Sequence, residues 1–390
     1  MNRVYFDHAA TSPLRPEVLA AMQPWLTEGF GNANALYLEG KQARQALDDA
    51  RSTIAAHIGA SPTEIVFTSG GTESNNAVIT GITQAIRTKK GRDRGGNHLV
   101  CSAFEHHAVL EPIQAMRRSG YELTLIKPSR DGFITPESFI DGLRPDTMLA
   151  SIIMVQNEIG TIQPIPELAR IAHAQGVLMH SDAVQALGKL RLNVARLGID
   201  AASFSAHKIG GPKGVGALYL KGSTSFAAVQ LGGGQENKRR SGTQNVAGAV
   251  GFARALELAG SEAALEAKRL NALRRRLALG LLALDERISL TVDYGITTDS
   301  PADLYLPDML SILVKGYESE TLILKLDDVG FAVSGGSACS TGSLEPSHVL
   351  ISLGLTRDQA YSALRFSLGR ENTEEDIVRL LSAFAKILKG

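Results

Sequence analysis

Apolar residues in this chain come in short runs that stop abruptly at polar ones. Val177–Met179 leads to Asp182, with Gln185 three places on, and Ala201–Phe204 leads to Ser205, His207 and Lys208. A Gly-Gly-Pro turn (Gly210, Gly211, Pro212) and a third run, Gly216–Leu220, follow. Runs of this length bounded by turn residues predict buried parallel strands that empty into a site. The alternation of strand, polar break and helix recurs in EIVFTSGGTESNNAVITG (64–81), in HLVCSAFEHHAVL and in MLASIIMVQNEIGTIQPIPELARIAHAQG. Repeated βα units predict an α/β fold whose large domain is a mostly parallel, doubly wound sheet flanked by helices.

Helical periodicity predicts helices from Glu17 to Leu26 and from about Gly40 to Ile58, and a long one after the glycine- and cation-rich loop LGGGQENKRRSGTQN. The segment from Ala115 to Arg144 reads as alternating strand and loop. From about Ser261 a long amphipathic helix leads into a smaller α+β domain. Its expected strands lie near Ser289–Val292, Leu310–Lys315 and Ala332–Val333, and its helices at Glu318–Asp328 and Thr373–Leu388. The division expected is a large domain over 16–260 and a small one made of 1–15 and 261–390.

Composition narrows the function. Forty basic and forty acidic residues cancel in 390, so no net field draws nucleic acid or an anionic membrane, and a small-molecule substrate is expected. The N-terminus lacks an apolar signal core and no run is long enough to span a bilayer, which predicts a cytoplasmic protein. Two cysteines make neither a disulfide framework nor a zinc site, and no metal is expected.

The strand-end residues carry the chemistry. A lysine can hold the aldehyde of pyridoxal phosphate as a Schiff base, and a carboxylate facing the pyridine nitrogen keeps the ring protonated as an electron sink. Lys208 and Asp182, at successive strand ends, fit that pair, and Ser205 and His207 are placed to touch the phosphate. Ser69-Gly70-Gly71-Thr72 before a helix is either a simple turn or an anion site built on free N–H groups and the helix dipole. It lacks the spacing of a nucleotide loop. Cys101 sits in an apolar run and reads as a core thiol. Cys339 stands in a small, polar stretch, Ser334 to Ser343, expected to be mobile, where it is either a nucleophile or an incidental exposed thiol.

Several of these phrases carry a resemblance. SFSAHKIGGPKGVGALY with HSDAVQALGK upstream, YFDHAAT, SGGTESNN, and SGGSACS before SLEPSHVL resemble the cysteine desulfurases of the class V aminotransferase group, over almost the whole chain. The cysteine stretch resembles that of group I, with the longer loop. The resemblance implies pyridoxal 5'-phosphate as cofactor and a fold of the pyridoxal-phosphate transferase type. It implies Gly71 and Thr72 as phosphate ligands, His106 stacked on the ring and exchanging protons with substrate, and Gln185 on the ring hydroxyl. Asn157 would contact that hydroxyl and the substrate carboxylate, and Thr243 would reach the phosphate of a partner subunit in a homodimer. Arg365, in RFSLGR, has a planar fork suited to an amino-acid carboxylate.

The implied reaction converts L-cysteine to L-alanine. Lys208 is the base, and Cys339 the nucleophile that keeps the sulfur as a persulfide for an acceptor protein in iron–sulfur assembly or other sulfur traffic. A selenocysteine lyase, or another lyase or aminotransferase on the same scaffold, is the alternative. The chain departs from the family after Gly31-Asn32, where it carries Ala33, Asn34, Ala35 and Tyr37 in place of a proline, serines and a histidine.

Overall fold

A computed structural model describes residues 3–90, 96–297, 302–336 and 345–389. At its centre is a seven-stranded sheet in the order Ile65–Thr68, Gly216–Leu220, Ala201–Ser205, Leu178–Asp182, Thr147–Ser151, His98–Ser102, Glu122–Ile126. Gly216–Leu220 runs antiparallel to both neighbours, and the remaining pairs are parallel. The inner strands are apolar and buried along their length because helices cover both faces of the sheet. Glu122–Ile126, at the edge, mixes exposed and covered residues instead.

A second, four-stranded antiparallel sheet comprises Ser334–Gly335, Ala363–Ser367, Met309–Val314 and Ile288–Leu290. The two sheets are joined by helix Val246–Leu284, whose buried positions fall in two groups, Val246 to Leu256 and Leu270 to Leu281. The sequence pattern suggests separate helices before and after Ser261. Gly260-Ser261 lies at the junction, but the Ser261 hydroxyl bonds back to Leu258 O and the stretch is one helix of 39 residues, started by the Asn245 side chain accepting from Gly248 N.

The reading of Ala115–Arg144 as strand and loop needs correction. Helix His107–Arg118 extends into it, and a further helix occupies Pro136–Gly142. Thr135 caps the latter by accepting from Ser138 N at 3.2 Å, and Pro136 fills the first turn, where a missing N–H costs nothing. The N-terminal strand Val4–Tyr5 pairs in parallel with Phe331–Ala332, and Asp7 bridges to Ser367, so the first residues of the chain lie against its last third.

Candidate active site

The C-terminal ends of Leu178–Asp182 and Ala201–Ser205 and the start of helix Gly71–Lys90 converge on a cavity of about 380 Å³. Asp182 sits in its floor, only 5% exposed. Its two oxygens are held apart by separate donors, Asn75 Nδ2 at 2.7 Å and the backbone N–H of Val184 at 3.0 Å. Two such bonds fix the carboxylate's direction.

Lys208 follows the next strand in the tight turn Ala206–Lys208, and its Nζ donates to the carbonyls of Ala9 (2.6 Å) and Ala10 (2.8 Å). The turn continues through Gly210 at φ 78°, where a β-carbon would stand 2.5 Å from Arg15 Cγ. Glycine meets both demands.

Beside the floor lies an anion-receptive crevice walled by Ser69, Gly70, Gly71, Thr72, Ser205 and His207. Helix Gly71–Lys90 begins there, so free N–H groups and the positive end of its dipole line the wall. Close approach is built in: a β-carbon on Gly216 would lie 2.6 Å from Gly70 Cα. Glu73 receives Ser69 N (2.7 Å) and pairs with both arms of Arg240 (2.8 and 3.2 Å), which holds the loop from outside. Burial, helped by Lys208 and Lys213, lowers His207 to about 4, so its ring is neutral, with Nδ1 3.1 Å from Thr11 Oγ1.

His106 caps helix His107–Arg118, its Nδ1 accepting from Ala108 N at 3.0 Å. A ring nitrogen that accepts from the backbone carries no proton, so neutral His106 has its hydrogen on Nε2. Burial lowers its pKa, against the pull of Asp182 and with the push of Lys208. On the far wall stands Arg365, 2% exposed. It donates to Asn157 O at 2.8 Å and to Asp7 Oδ1 at 2.7 Å, and its Nε has no partner among the described residues.

The cavity thus brings together Gly71, Thr72, His106, Asn157, Asp182, Gln185, Ser205, His207, Lys208 and Arg365. Gln185 is already engaged, its amide donating to Ala9 O at 2.9 Å and its oxygen accepting from Lys189. Thr243 is exposed and away from this wall. Cys339 lies outside the described residues. Cys101 is fully buried, and burial raises its thiol pKa well above the usual value.

The sequence reading passed over Asn75, Asp7, Glu158 and His348, all of which meet the site. Asn75 was detectable, because it lies one helical turn beyond Gly71 and Thr72 on the same face. Glu158 was not. It reads as part of an Asn-Glu-Ile-Gly turn but is fully covered, accepts from Ser347 Oγ at 2.6 Å, and is pushed up to about 7 by burial, against the Ser347 bond and Arg365.

Residues 4–380 match the class V aminotransferase family. IscS of Dictyoglomus turgidum, a cysteine desulfurase, is 44% identical over 388 residues, 100% of this chain and 95% of the relative. The cysteine desulfurase IscS of Methanosarcina thermophila is 42% identical over 386 residues, 99% and 92% of the two chains. The chain belongs to the cysteine desulfurases of this family.

Solved structures similar to this desulfurase include a NifS-like protein, with TM-score 0.90, 35% identity and 99% of each chain covered. Another is SspA in complex with cysteine, with TM-score 0.79, 32% identity, and 93% of this chain and 98% of that one covered. The fold read from the sequence, a mostly parallel sheet between helices, is the one these relatives share. Among its described residues this desulfurase has no helix long and apolar enough to cross a membrane.

Proposed function

We propose that the chain takes the sulfur of L-cysteine, releases L-alanine and leaves the sulfur as a persulfide on Cys339, with pyridoxal 5'-phosphate as cofactor. The observation that carries this reading is the convergence of Asp182 and Lys208 on one cavity faced by Arg365. The donor set fits the cofactor at each end. The crevice at Gly70–Thr72, Ser205 and His207 offers donors to a phosphate, Asp182 offers an oriented carboxylate to a pyridine nitrogen, and Lys208 offers an amine between them. When bound there, the cofactor supplies an electron sink for the carbanion formed at the substrate α-carbon.

The chain's own groups do the rest. Arg365, oriented by Asp7 and the carbonyl of Asn157, receives the cysteine carboxylate and fixes the α-carbon. Lys208 Nζ takes the α-proton as base. His106, lining the cavity with its hydrogen on Nε2, would stack on the ring and exchange a proton with the substrate. The Cys339 thiolate then attacks the substrate sulfur. An S–S bond forms as the Cβ–S bond breaks, the electron pair of the broken bond stays with the carbon skeleton, and protonation yields alanine. The described residues on either side of the Cys339 segment adjoin the cavity. Ser334–Gly335 pairs beside Arg365, and Ser347 is bonded to Glu158.

The persulfide is passed to an acceptor protein, such as an iron–sulfur scaffold, in the cytoplasm. The enzyme acts as a homodimer in which exposed Thr243 reaches the partner's phosphate crevice. The division into 16–260 and 1–15 with 261–390 is supported by the two separate sheets and by the pairing of Val4–Tyr5 with Phe331–Ala332.

The deciding experiment is intact mass with and without L-cysteine. The wild type should gain one sulfur atom. Cys339→Ser should gain none and release no alanine, yet still exchange the cysteine α-proton with solvent deuterium. Alanine and free sulfide made by Cys339→Ser at the wild-type rate would make the enzyme a lyase.

A further inference from the structure

Among the described residues only four non-glycines lie in the left-handed region of the backbone, and three of them are consecutive: Glu236, Asn237 and Lys238, at φ 48°, 55° and 63°. That conformation crowds each β-carbon against the backbone, so a turn built from it persists only where its surroundings over-determine it. Glu236 supplies the anchor. Its buried carboxylate takes Arg51 with both oxygens (2.7 and 2.9 Å) and the backbone N–H of Phe67 (2.9 Å), and Arg239 Nη1 donates to Thr63 O at 2.7 Å. The strained turn is thereby fastened to strand Ile65–Thr68 and to the residues before it.

The same strand runs on into the crevice loop Ser69–Thr72, and the chain that leaves the turn comes back to meet it. Arg240 donates to both oxygens of Glu73, at 2.8 and 3.2 Å. Its backbone is steadied on the far side, where Gln230 Nε2 donates to Ser241 O at 2.6 Å and Gln235 Oε1 accepts from Gly242 N at 2.9 Å. Glu73 is the unexpected member of an anion-receptive wall. Its Oε2 accepts from Ser69 N at 2.7 Å, and although burial raises its pKa, the bonds from Arg240 and Ser69 prevail and hold it below the ordinary carboxylate range, so it stays charged. A carboxylate in the first helical turn suits the helix dipole but opposes any other anion that sits there.

We propose that Arg240 is a positioning residue for the cofactor phosphate, acting through Glu73: it cancels the charge of that carboxylate and fixes the Ser69–Thr72 loop, so that the crevice accepts an anion. Arg240 is not among the residues that wall the crevice, so its role is indirect. Glu73 orders the loop by holding Ser69 N, and Arg240 removes the electrostatic cost of having a carboxylate do so. The left-handed turn has its use here, since it lets one short segment reach both Phe67, within the strand, and Glu73, just beyond it. The role rests on the assignment of the crevice to the phosphate of pyridoxal 5'-phosphate and requires none of the steps proposed for Cys339.

The test titrates the cofactor-free full chain with pyridoxal 5'-phosphate and, separately, with pyridoxal, which lacks the phosphate. The ratio of the two dissociation constants isolates the phosphate, because damage to the fold at large weakens both ligands and leaves the ratio alone. A wild type with no preference for the phosphorylated form would overturn the cofactor assignment and the role of Arg240 with it. Given that preference, Arg240→Ala should reduce it about tenfold or more, the scale expected of an uncancelled charge close to an anion. Glu73→Gln keeps an acceptor for Ser69 N without the charge, and adding it to Arg240→Ala should restore the preference to within about threefold of wild type. Glu73→Gln alone should match or exceed the wild-type preference, and it gives a result even where Arg240→Ala fails to fold. An unchanged preference in Arg240→Ala, a double variant as weak as Arg240→Ala, or a preference lost in Glu73→Gln alone would each overturn the proposal.

Discussion

Glu158→Gln isolates the strangest charge in the site. The Glu158 carboxyl is fully buried and is pushed from 4.5 to about 7, with burial the largest cause and Ser347 and Arg365 pulling the other way. Between pH 4.5 and pH 7 the folded chain keeps a proton that the unfolded chain has released. The stabilisation from this group is therefore complete below pH 4.5, declines as pH rises, and is gone above about pH 7. A span of 2.5 pKa units, at about 1.4 kcal/mol each, amounts to roughly 3 kcal/mol.

Glutamine keeps the shape and still accepts from Ser347 Oγ, now 2.6 Å from Glu158, but it cannot ionise. Urea unfolding of both proteins should show the wild type losing about 3 kcal/mol relative to Glu158→Gln between pH 4.5 and about pH 8. The comparison matters because His8, His180 and His207, lowered by burial to about 4, 3 and 4, give the opposite slope. Their stabilisation is present above 6.5 and lost as pH falls, but it is common to both proteins and cancels in the difference. A difference that stays flat would mean that Glu158 is ionised in the fold and paired with Arg365, and the argument from burial would fail.

Asp182→Asn keeps the bond from Val184 but removes the charge opposite the pyridine nitrogen, so exchange of the cysteine α-proton should slow by orders of magnitude while cofactor content falls less. Unchanged exchange, followed by deuterium loss in NMR, would assign that role to another acid. Lys208→Ala should lose the covalently bound cofactor and its visible absorbance together with turnover, and persistent catalysis would remove Lys208 from the Schiff-base position. Glu236→Ala strips the partner from Arg51 (2.7 and 2.9 Å) and from Phe67 N (2.9 Å) in a buried setting, and should cost roughly 3–5 kcal/mol in urea unfolding. A loss under about 1 kcal/mol would show that Arg51 finds water instead.

What the sequence revealed and what it hid divide by distance along the chain. Asp182 and Lys208 were legible because each closes a run of buried strand residues, and a charged residue there has one physical use, to face a site. Gly70 and Gly71 were legible as the start of a helix. The residues that orient these groups were not, since their partners are remote: Asn75 meets Asp182 across 107 positions, Ser347 meets Glu158 across 189, and Arg365 meets Asp7 across 358. Local pattern also misjudged the long helix, because apolar spacing does not tell two adjoining amphipathic stretches from one helix that buries both.

The Asp7–Arg365 pair shows why this limit falls on the site itself. Arg365 has a fork suited to a carboxylate, and from the sequence its whole guanidinium was available to the substrate. In the fold one arm is held by Asp7 and another by the carbonyl of Asn157, and Asp7 arrives because Val4–Tyr5 adds to Phe331–Ala332 and aligns Asp7 with Ser367. A short parallel strand pair has no turn to set its register and no periodicity long enough to announce it. The binding group was therefore visible in the sequence, while the direction in which it points depends on a pairing between the two ends of the chain.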